Sequence, residues 1–364
     1  MAMKKTILQI FASSGWGGGE QYVYDLSERL TKDGYSVLFA GKKCPFQKKK
    51  VSPKKLYTLP FKGVIDLYSP FKLHSIIKKN KVDIVHIHQF KDAFTTMLTK
   101  LLFRDKFKVV LTRHLVKKAK NSFLYTKAYQ SVDKMIFVSE LAKNTFLSTQ
   151  PKVDIGKIEV VHNSVTSIKP INELANDYRQ TYSISASDII LLFTGRLVKE
   201  KGLDVLLRAL PKLSTQSYKL LVAGTGDESY TKQLHELAES LGVGDKAVFL
   251  GFVEDIADLI HQADIGVMPS VWQEPFGLAA LEYMRDAKPV ITTNNGAQKE
   301  FMEDGVNGIL IPPDNTDELA MAINDLMTNG QKRKLIGQNA KKHFDENLNY
   351  EQFYGRIIRI YDSA

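Results

Sequence analysis

The feature that most restricts this chain is one repeated pattern: a short apolar run, a turn of small or polar residues, then a stretch with helical spacing. Lys5 to Phe11 opens it and is followed by Tyr22, Val23, Leu26 and Leu30, which share one helical face. Ser36 to Ala40, Val82 to His88, Lys108 to Arg113, Lys134 to Val138 and Ile158 to His162 repeat the strand part. The pattern weakens from Asn163 to Ser187, around Pro170. It resumes with Asp188 to Thr194, Tyr218 to Gly224, Ala247 to Leu250, Ile265 to Met268 and Pro289 to Thr292. Runs that are apolar on both faces and alternate with helices specify an α/β fold with parallel sheets covered on both sides. A chain of 364 residues suits two such domains, and we place the boundary in the weak stretch, giving 1–168 and 169–344 with a helical tail over 345–364. Ser69-Pro70 reads as cap and first turn of a helix to about Lys79, Ser139 as the cap of another, and Asp314 or Asn315 as the cap of a third.

Composition excludes several classes. The single cysteine, Cys44, rules out an internal disulfide, and no Cys/His cluster has metal-ligand spacing, so a reducing compartment fits. The run Thr6 to Phe11 is too short for a leader peptide, and no apolar segment approaches the roughly 18 to 20 residues that span a bilayer. The expected location is therefore cytoplasmic. Charge is divided unevenly. Through residue 168 there are 30 Lys and Arg against 12 Asp and Glu, and thereafter 20 against 28, so a half of net charge +18 precedes one of −8. Such a basic half suits a nucleic acid or an anionic membrane surface, with a solvated lysine-rich face as the plain alternative. Lys42 to Lys55, with seven lysines, reads as a basic loop. No aromatic-interleaved basic motif of the RNA-binding kind and no separate helix-turn-helix is present, which disfavours nucleic acid.

The chemistry concentrates in Ser270 to Glu282, Ser-Val-Trp-Gln-Glu-Pro-Phe-Gly-Leu-Ala-Ala-Leu-Glu. Pro275 biases Glu274 away from helical geometry, so Glu274 is expected in a loop and Leu278 onward in a helix, with Glu282 one turn in and leaning back. None of Glu274 to Leu278 is a residue that caps helices with its side chain. The amides at Gly277 and Leu278 are thus left for an anion, with the helix dipole behind them. An anion site flanked by two hydroxyl acceptors suits a nucleotide-sugar. Upstream, Gly195 and Gly202 bracket a turn that aims Arg196 and Lys201 from the end of a strand, a fork and a point charge suited to a diphosphate.

The first half adds Ser13 to Glu20, a glycine loop whose bare amides, Gly17 and Gly18 among them, can approach a phosphate. It is a poor dinucleotide fingerprint, because Glu20 stands where the last glycine belongs and the next strand offers no acid for a ribose. His86 and His88 share one strand face, with His88 at the end where parallel sheets keep their ligand crevices. A packing role suits His86. Arg113 and His114 end the next strand and, with Glu20, are acceptor-side candidates.

Glu-x7-Glu from Glu274 to Glu282, Gly-Arg-x4-Lys-Gly from Gly195 to Gly202, and Gly296-Ala297-Gln298-Lys299-Glu300 together resemble the retaining family 4 glycosyltransferases of the GT-B fold, with Ala297 replacing the second glycine of the last motif. The resemblance implies two Rossmann-like parallel-sheet domains facing each other across a deep cleft, with the terminal helix packed back on the first. It implies that Glu274 and His88 face the transferred sugar, that Arg196 and Lys201 hold the diphosphate, that Glu282 meets the ribose, and that backbone near Val253 meets the base. It implies retention, and the missing Asp-x-Asp triad implies no metal and no cofactor. The expected reaction is hexose or N-acetylhexosamine transfer from a UDP- or GDP-sugar to a glycan acceptor. A lipid-linked acceptor used in bacterial surface polysaccharide or lipopolysaccharide synthesis, reached by peripheral docking of the basic half on anionic membrane, completes the expectation. The alternatives are an epimerase or phosphorylase on the same fold, or a basic nucleic-acid-binding protein.

Overall fold

The computed structural model describes residues 4–12, 17–42, 55–63, 66–166 and 176–364. Most of the lysine loop, part of the glycine loop, Pro170 and the expected 168/169 boundary lie outside them. The chain divides into two compact units, residues 1–163 with 351–364, and residues 164–350.

The first unit is built on a sheet of seven parallel strands. They are β1 (Thr6–Ile10), β2 (Ser36–Gly41), β3 (Leu56–Thr58), β4 (Ile84–Ile87), β5 (Lys108–Arg113), β6 (Lys134–Phe137) and β7 (Ile158–Val160), in spatial order β3-β2-β1-β4-β5-β6-β7. The core gathers the strand residues Leu8, Ile10, Val85, Ile87, Val109 and Leu111. The helix Gly18–Lys32 buries Tyr22, Val23, Leu26 and Leu30, the face its spacing specifies. The terminal helix Tyr350–Ser363 buries Phe353, Tyr354, Ile357, Ile360 and Tyr361, a stripe at helical spacing. It belongs to this unit because the Tyr361 carbonyl accepts from Lys5 Nζ (2.7 Å) and the Tyr361 hydroxyl hydrogen-bonds His86 Nδ1 (2.7 Å), while Phe353 packs edge-on against Tyr22. Each of these apolar side chains contributes about 1.5–3 kcal/mol on burial.

The second unit has six parallel strands: β8 (Ile189–Thr194), β9 (Tyr218–Ala223), β10 (Ala247–Gly251), β11 (Ile265–Met268), β12 (Val290–Thr293) and β13 (Ile309–Ile311), ordered β10-β9-β8-β11-β12-β13. In each sheet the chain runs outward to one edge and then returns to build the other side. The direction changes between β1 and β4 in the first, and between β8 and β11 in the second. Loops leaving two neighbouring strands in opposite directions open a crevice at such a point.

Two strands escape the sequence pattern. Leu56–Thr58 and Ile309–Ile311 are three-residue edge strands. One cap differs as well. Ser69 does not cap its helix, which starts at Tyr68; Asp66 instead accepts from the amides of Tyr68 (3.2 Å) and Ser69 (2.9 Å) and from the Ser69 hydroxyl (2.6 Å). Ser139 accepts from the Ala142 amide, and of the pair Asp314/Asn315 it is Asn315 that accepts from Glu318. Among the described residues no helix is long and apolar enough to cross a membrane.

Candidate active site

In the first unit His86 and His88 at the end of β4 pack together with His114, which follows β5. His86 gives one ring nitrogen to the Tyr361 hydroxyl (2.7 Å) and the other to Thr112 (2.8 Å), so it is a satisfied core residue. His88 is buried too. Its Nε2 meets the Gln9 carboxamide oxygen at 2.8 Å and its Nδ1 meets His114 Nε2 at 3.2 Å. The Gln9 contact requires the proton on His88 Nε2, which leaves Nδ1 to accept from His114. Tyr22 lies edge-on to both rings. Burial, with the neighbouring imidazoles adding repulsion, holds His86 down to about 3 and His88 well below the usual range; burial alone brings His114 to about 4. All three are neutral at pH 7 and offer hydrogen bonds rather than charge. His114, half-buried, is the one that meets solvent.

Arg113 and His114, expected side by side, are separated by the alternation of β5. Arg113 turns to the other face, where its guanidinium lies 4.6 Å from the ring centre of Phe146 and donates to the Lys117 carbonyl (3.2 Å). Burial in that aromatic box lowers it to about 10, which keeps it charged. Arg113, expected beside His114 as an acceptor-side candidate, is placed instead as a buried cation on the opposite face of the sheet. Gly17 is the residue before the helix that opens at Gly18, and no side chain caps that helix. Glu20 lies in its first turn, with a carboxylate oxygen 3.5 Å from where a side chain on Gly17 would begin, a local partner for the helix dipole.

In the second unit the crevice between β8 and β11 collects the motifs. The turn after β8 carries Arg196 and, through a short 3-10 turn, Lys201. The turn after β11 carries Ser270 and Glu274 and leads into the helix Leu278–Arg285. The turns fit only because glycines stand where they touch. A side chain on Gly202 would begin 2.1 Å from the Pro269 carbonyl oxygen, one on Gly224 1.7 Å from that of Gly195, and one on Gly296 2.8 Å from the Glu274 amide. Backbone and side-chain bonds fix the same loops: Val271 N to Glu200 O (3.0 Å), Ala297 N to Glu274 O (2.9 Å), Thr293 Oγ1 to Ser270 O (2.7 Å) and Asn295 Nδ2 to Val271 O (3.0 Å).

Glu274 is 4% exposed. Its Oε1 accepts from Lys201 Nζ at 2.5 Å and from Ser270 Oγ at 2.6 Å. Burial pushes its carboxyl up, but the Lys201 charge, the Lys201 and Ser270 donors and the nearby Trp272 indole outweigh that and hold it below the ordinary range, ionised at neutral pH. Lys201 is therefore not a free cation beside Arg196, as the sequence suggests. Arg196 is exposed, and its side chain has no hydrogen-bond or ion-pair partner among the described residues. Gly277, at φ +95, turns the chain into the helix with no side-chain cap, so the first amides, from Leu278 on, face outward unclaimed by a cap. Glu282 is half-buried in the second turn of this helix. Val253 lies two residues past β10, the edge strand separated from β8 by β9. Gln9, which contacts His88, carries no motif that marks it in advance, and Ser270, though inside the marked stretch, is not assigned its contact with Glu274 by the sequence. No group of three metal-ligating side chains occurs among the described residues.

Residues 175–343 match the family described as glycosyl transferases group 1, and residues 16–167 match glycosyltransferase family 4. An uncharacterized glycosyltransferase of Methanocaldococcus jannaschii is 30% identical over 306 residues, covering 79% of this chain and 77% of the relative. A glycosyltransferase from Rickettsia africae, 25% identical, superposes with a TM-score of 0.85 over 99% of this chain and 98% of its own. HepE of Anabaena, solved in complex with UDP and glucose, is 22% identical and superposes with a TM-score of 0.85 over 99% of this chain and all of its own.

Proposed function

The chain belongs to glycosyltransferase family 4, the glycosyl transferases group 1, and from that premise we propose that it transfers a hexose or N-acetylhexosamine from a UDP- or GDP-linked sugar to a hydroxyl of a glycan acceptor, with retention and without a divalent ion. The observation that carries this reading is the buried Lys201–Glu274 pair beside an uncapped helix start and a partnerless Arg196. Arg196 and the amides at Gly277 and Leu278 take the diphosphate, with the Lys201 ammonium shared between it and Glu274. The Lys201 and Ser270 contacts both fall on Oε1, so Oε2 is the oxygen that accepts a hydroxyl of the transferred sugar. Glu282 takes the ribose and backbone near Val253 the base. The bond from the anomeric carbon to the β-phosphate oxygen breaks while the acceptor oxygen attacks on the same face, and the departing phosphate oxygen receives the acceptor proton. Leaving-group charge is met by donors already in place, which cost no reorganisation. The UDP and glucose held by HepE support a nucleotide-sugar donor.

The acceptor side of the reading rests on surface chemistry. Leu67, Tyr68, Phe71, Leu101, Leu102 and Phe123, all of the first unit, are more than half exposed on the half of the chain that carries the excess of lysine. Exposed apolar side chains on a lysine-rich half suit an anionic bilayer, where each Lys or Arg contributes about 1 kcal/mol, and a membrane-borne glycolipid acceptor. Flotation with anionic vesicles but not neutral ones is the expected result; equal behaviour removes this part.

The catalytic reading is tested by transfer of radiolabelled sugar. Glu274→Ala and Arg196→Ala should each lose on the order of 10²-fold in rate, and near wild-type rates in both would sink it. EDTA should leave the rate unchanged, and nucleoside diphosphate should appear only when acceptor is present, which separates transfer from epimerase or phosphorylase chemistry.

A further inference from the structure

Gln298 lies in the short 3-10 segment Ala297–Glu300 that follows β12, and it is fully buried. Its side chain fills the room that two glycines leave. A Cβ on Gly296 would come within 2.3 Å of its Oε1, and one on Gly277 within 3.2 Å of its Nε2. The carboxamide is thus wedged between the turn that carries Glu274 and the residue from which the helix Leu278–Arg285 springs. Its own backbone is held as well: the Gln298 carbonyl accepts from Phe301 (3.1 Å) and Met302 (2.8 Å).

Neither Oε1 nor Nε2 has a hydrogen-bond partner among the described residues. Buried polar atoms without partners destabilise a fold, and methionine has the same reach with no amide to desolvate. Packing alone therefore gives no reason for a carboxamide here. What glutamine adds is a donor and an acceptor lying against Gly277 and the Glu274 turn, the segment whose amides face the diphosphate in the reading above.

We propose that Gln298 is a positioning residue of the nucleotide-sugar site: its carboxamide acquires its hydrogen bonds when donor draws up the turn from Glu274 to Leu278, and so sets how firmly that turn holds the nucleotide. It acts through the turn and does not touch the reacting atoms. The proposal rests on the nucleotide-sugar reading and adds an opposition of signs to it. Removing the carboxamide should make the protein by itself more stable and its donor complex weaker, whereas a glutamine that only supports the fold would weaken both together.

The test is Q298M in the full chain, with Q298L as the second variant should Q298M not fold. Thermal melts are run without ligand and with UDP or GDP, and donor KM and kcat are measured by sugar transfer. The expected result is a melting temperature at or above wild type without nucleotide, with nucleotide Kd and donor KM raised about tenfold, the worth of one good hydrogen bond, and kcat little changed. Wild-type affinity in Q298M, or a lower melting temperature without nucleotide, overturns the proposal. If the wild-type protein itself is not stabilised by either nucleotide, the donor reading and the proposal fall together, and the wild-type arm alone distinguishes that outcome.

Discussion

Lys201→Met isolates what the buried ion pair does. Methionine keeps the apolar stem and removes the cation that contacts Glu274, whose side chain is 5% accessible against 19% for Lys201. Taking one partner from a buried pair costs about 3–5 kcal/mol, because the remaining charge is left desolvated. Glu274 keeps the Ser270 hydroxyl at 2.6 Å, which places the expected loss near the lower end, about 3 kcal/mol. At about 2–4 °C per kcal/mol for a domain of this size, the second unit should melt roughly 6–12 °C lower.

The loss should depend on pH with a definite sign. In the native protein the Glu274 carboxyl lies below its ordinary range, so its ionisation stabilises the fold above the unfolded pKa and that contribution fades as pH falls through the folded one. Without Lys201, burial prevails and the folded pKa rises. The unfolded chain then ionises first, and the deficit grows by about 1.4 kcal/mol per pH unit above about 4.3 until the folded carboxyl ionises too. Urea unfolding at pH 5 and pH 8, followed by the fluorescence of Trp272 in the same loop, reads this directly. A deficit under about 1 kcal/mol at pH 8, or one equal at both pH values, would refute the burial argument. K201M combined with E274Q should recover most of the loss.

Three further outcomes follow from the geometry. Gly224→Ala puts a methyl 1.7 Å from the Gly195 carbonyl oxygen at φ +151 and should cost more than about 3 kcal/mol, seen as a large drop in melting temperature or as insoluble protein. The depressed imidazoles His86 (about 3) and His114 (about 4) bind protons in the unfolded chain first, so stability should fall as pH drops below about 6.5. His114→Gln should remove about one proton from the pH slope of urea unfolding between pH 6.5 and 4. Asp66→Ala strips the cap from the helix Tyr68–Asn80 and should cost about 1–2 kcal/mol, and a loss unchanged by salt would identify hydrogen bonding rather than charge as its source.

The strands were legible because both faces of each sheet are buried, which forces continuous apolar runs such as Leu191, Leu192 and Phe193. Leu56–Thr58, an edge strand without a fully buried residue, leaves no such run to find. The helix cap at Asp66 was hidden by Pro70. Proline favours a helix start and drew the boundary to Ser69, but it is equally tolerated one turn in, at the third residue of this helix. Arg113 could have been placed from sequence, since it alternates with Thr112 and His114 along β5, and the face opposite His86 is the one lined by Phe137 and Phe146.

What sequence does not show is which cation answers which anion. Arg196 and Lys201 read as equivalent partners for a diphosphate, yet Glu274 is 73 residues from Lys201 and its loop is fixed by contacts that no local pattern encodes. In the proposed reading the pairing still serves an anion. A carboxylate and a phosphate about 5 Å apart repel by about 3 kcal/mol at an effective dielectric of 20, enough to weaken binding more than a hundredfold. With Lys201 held on Oε1, that carboxylate would meet a nucleotide-sugar as part of a neutral pair and could accept a sugar hydroxyl without repelling the adjoining diphosphate. In the proposed reading Lys201 is shared between Glu274 and the diphosphate, and Arg196, exposed and without a side-chain partner among the described residues, meets the nucleotide directly.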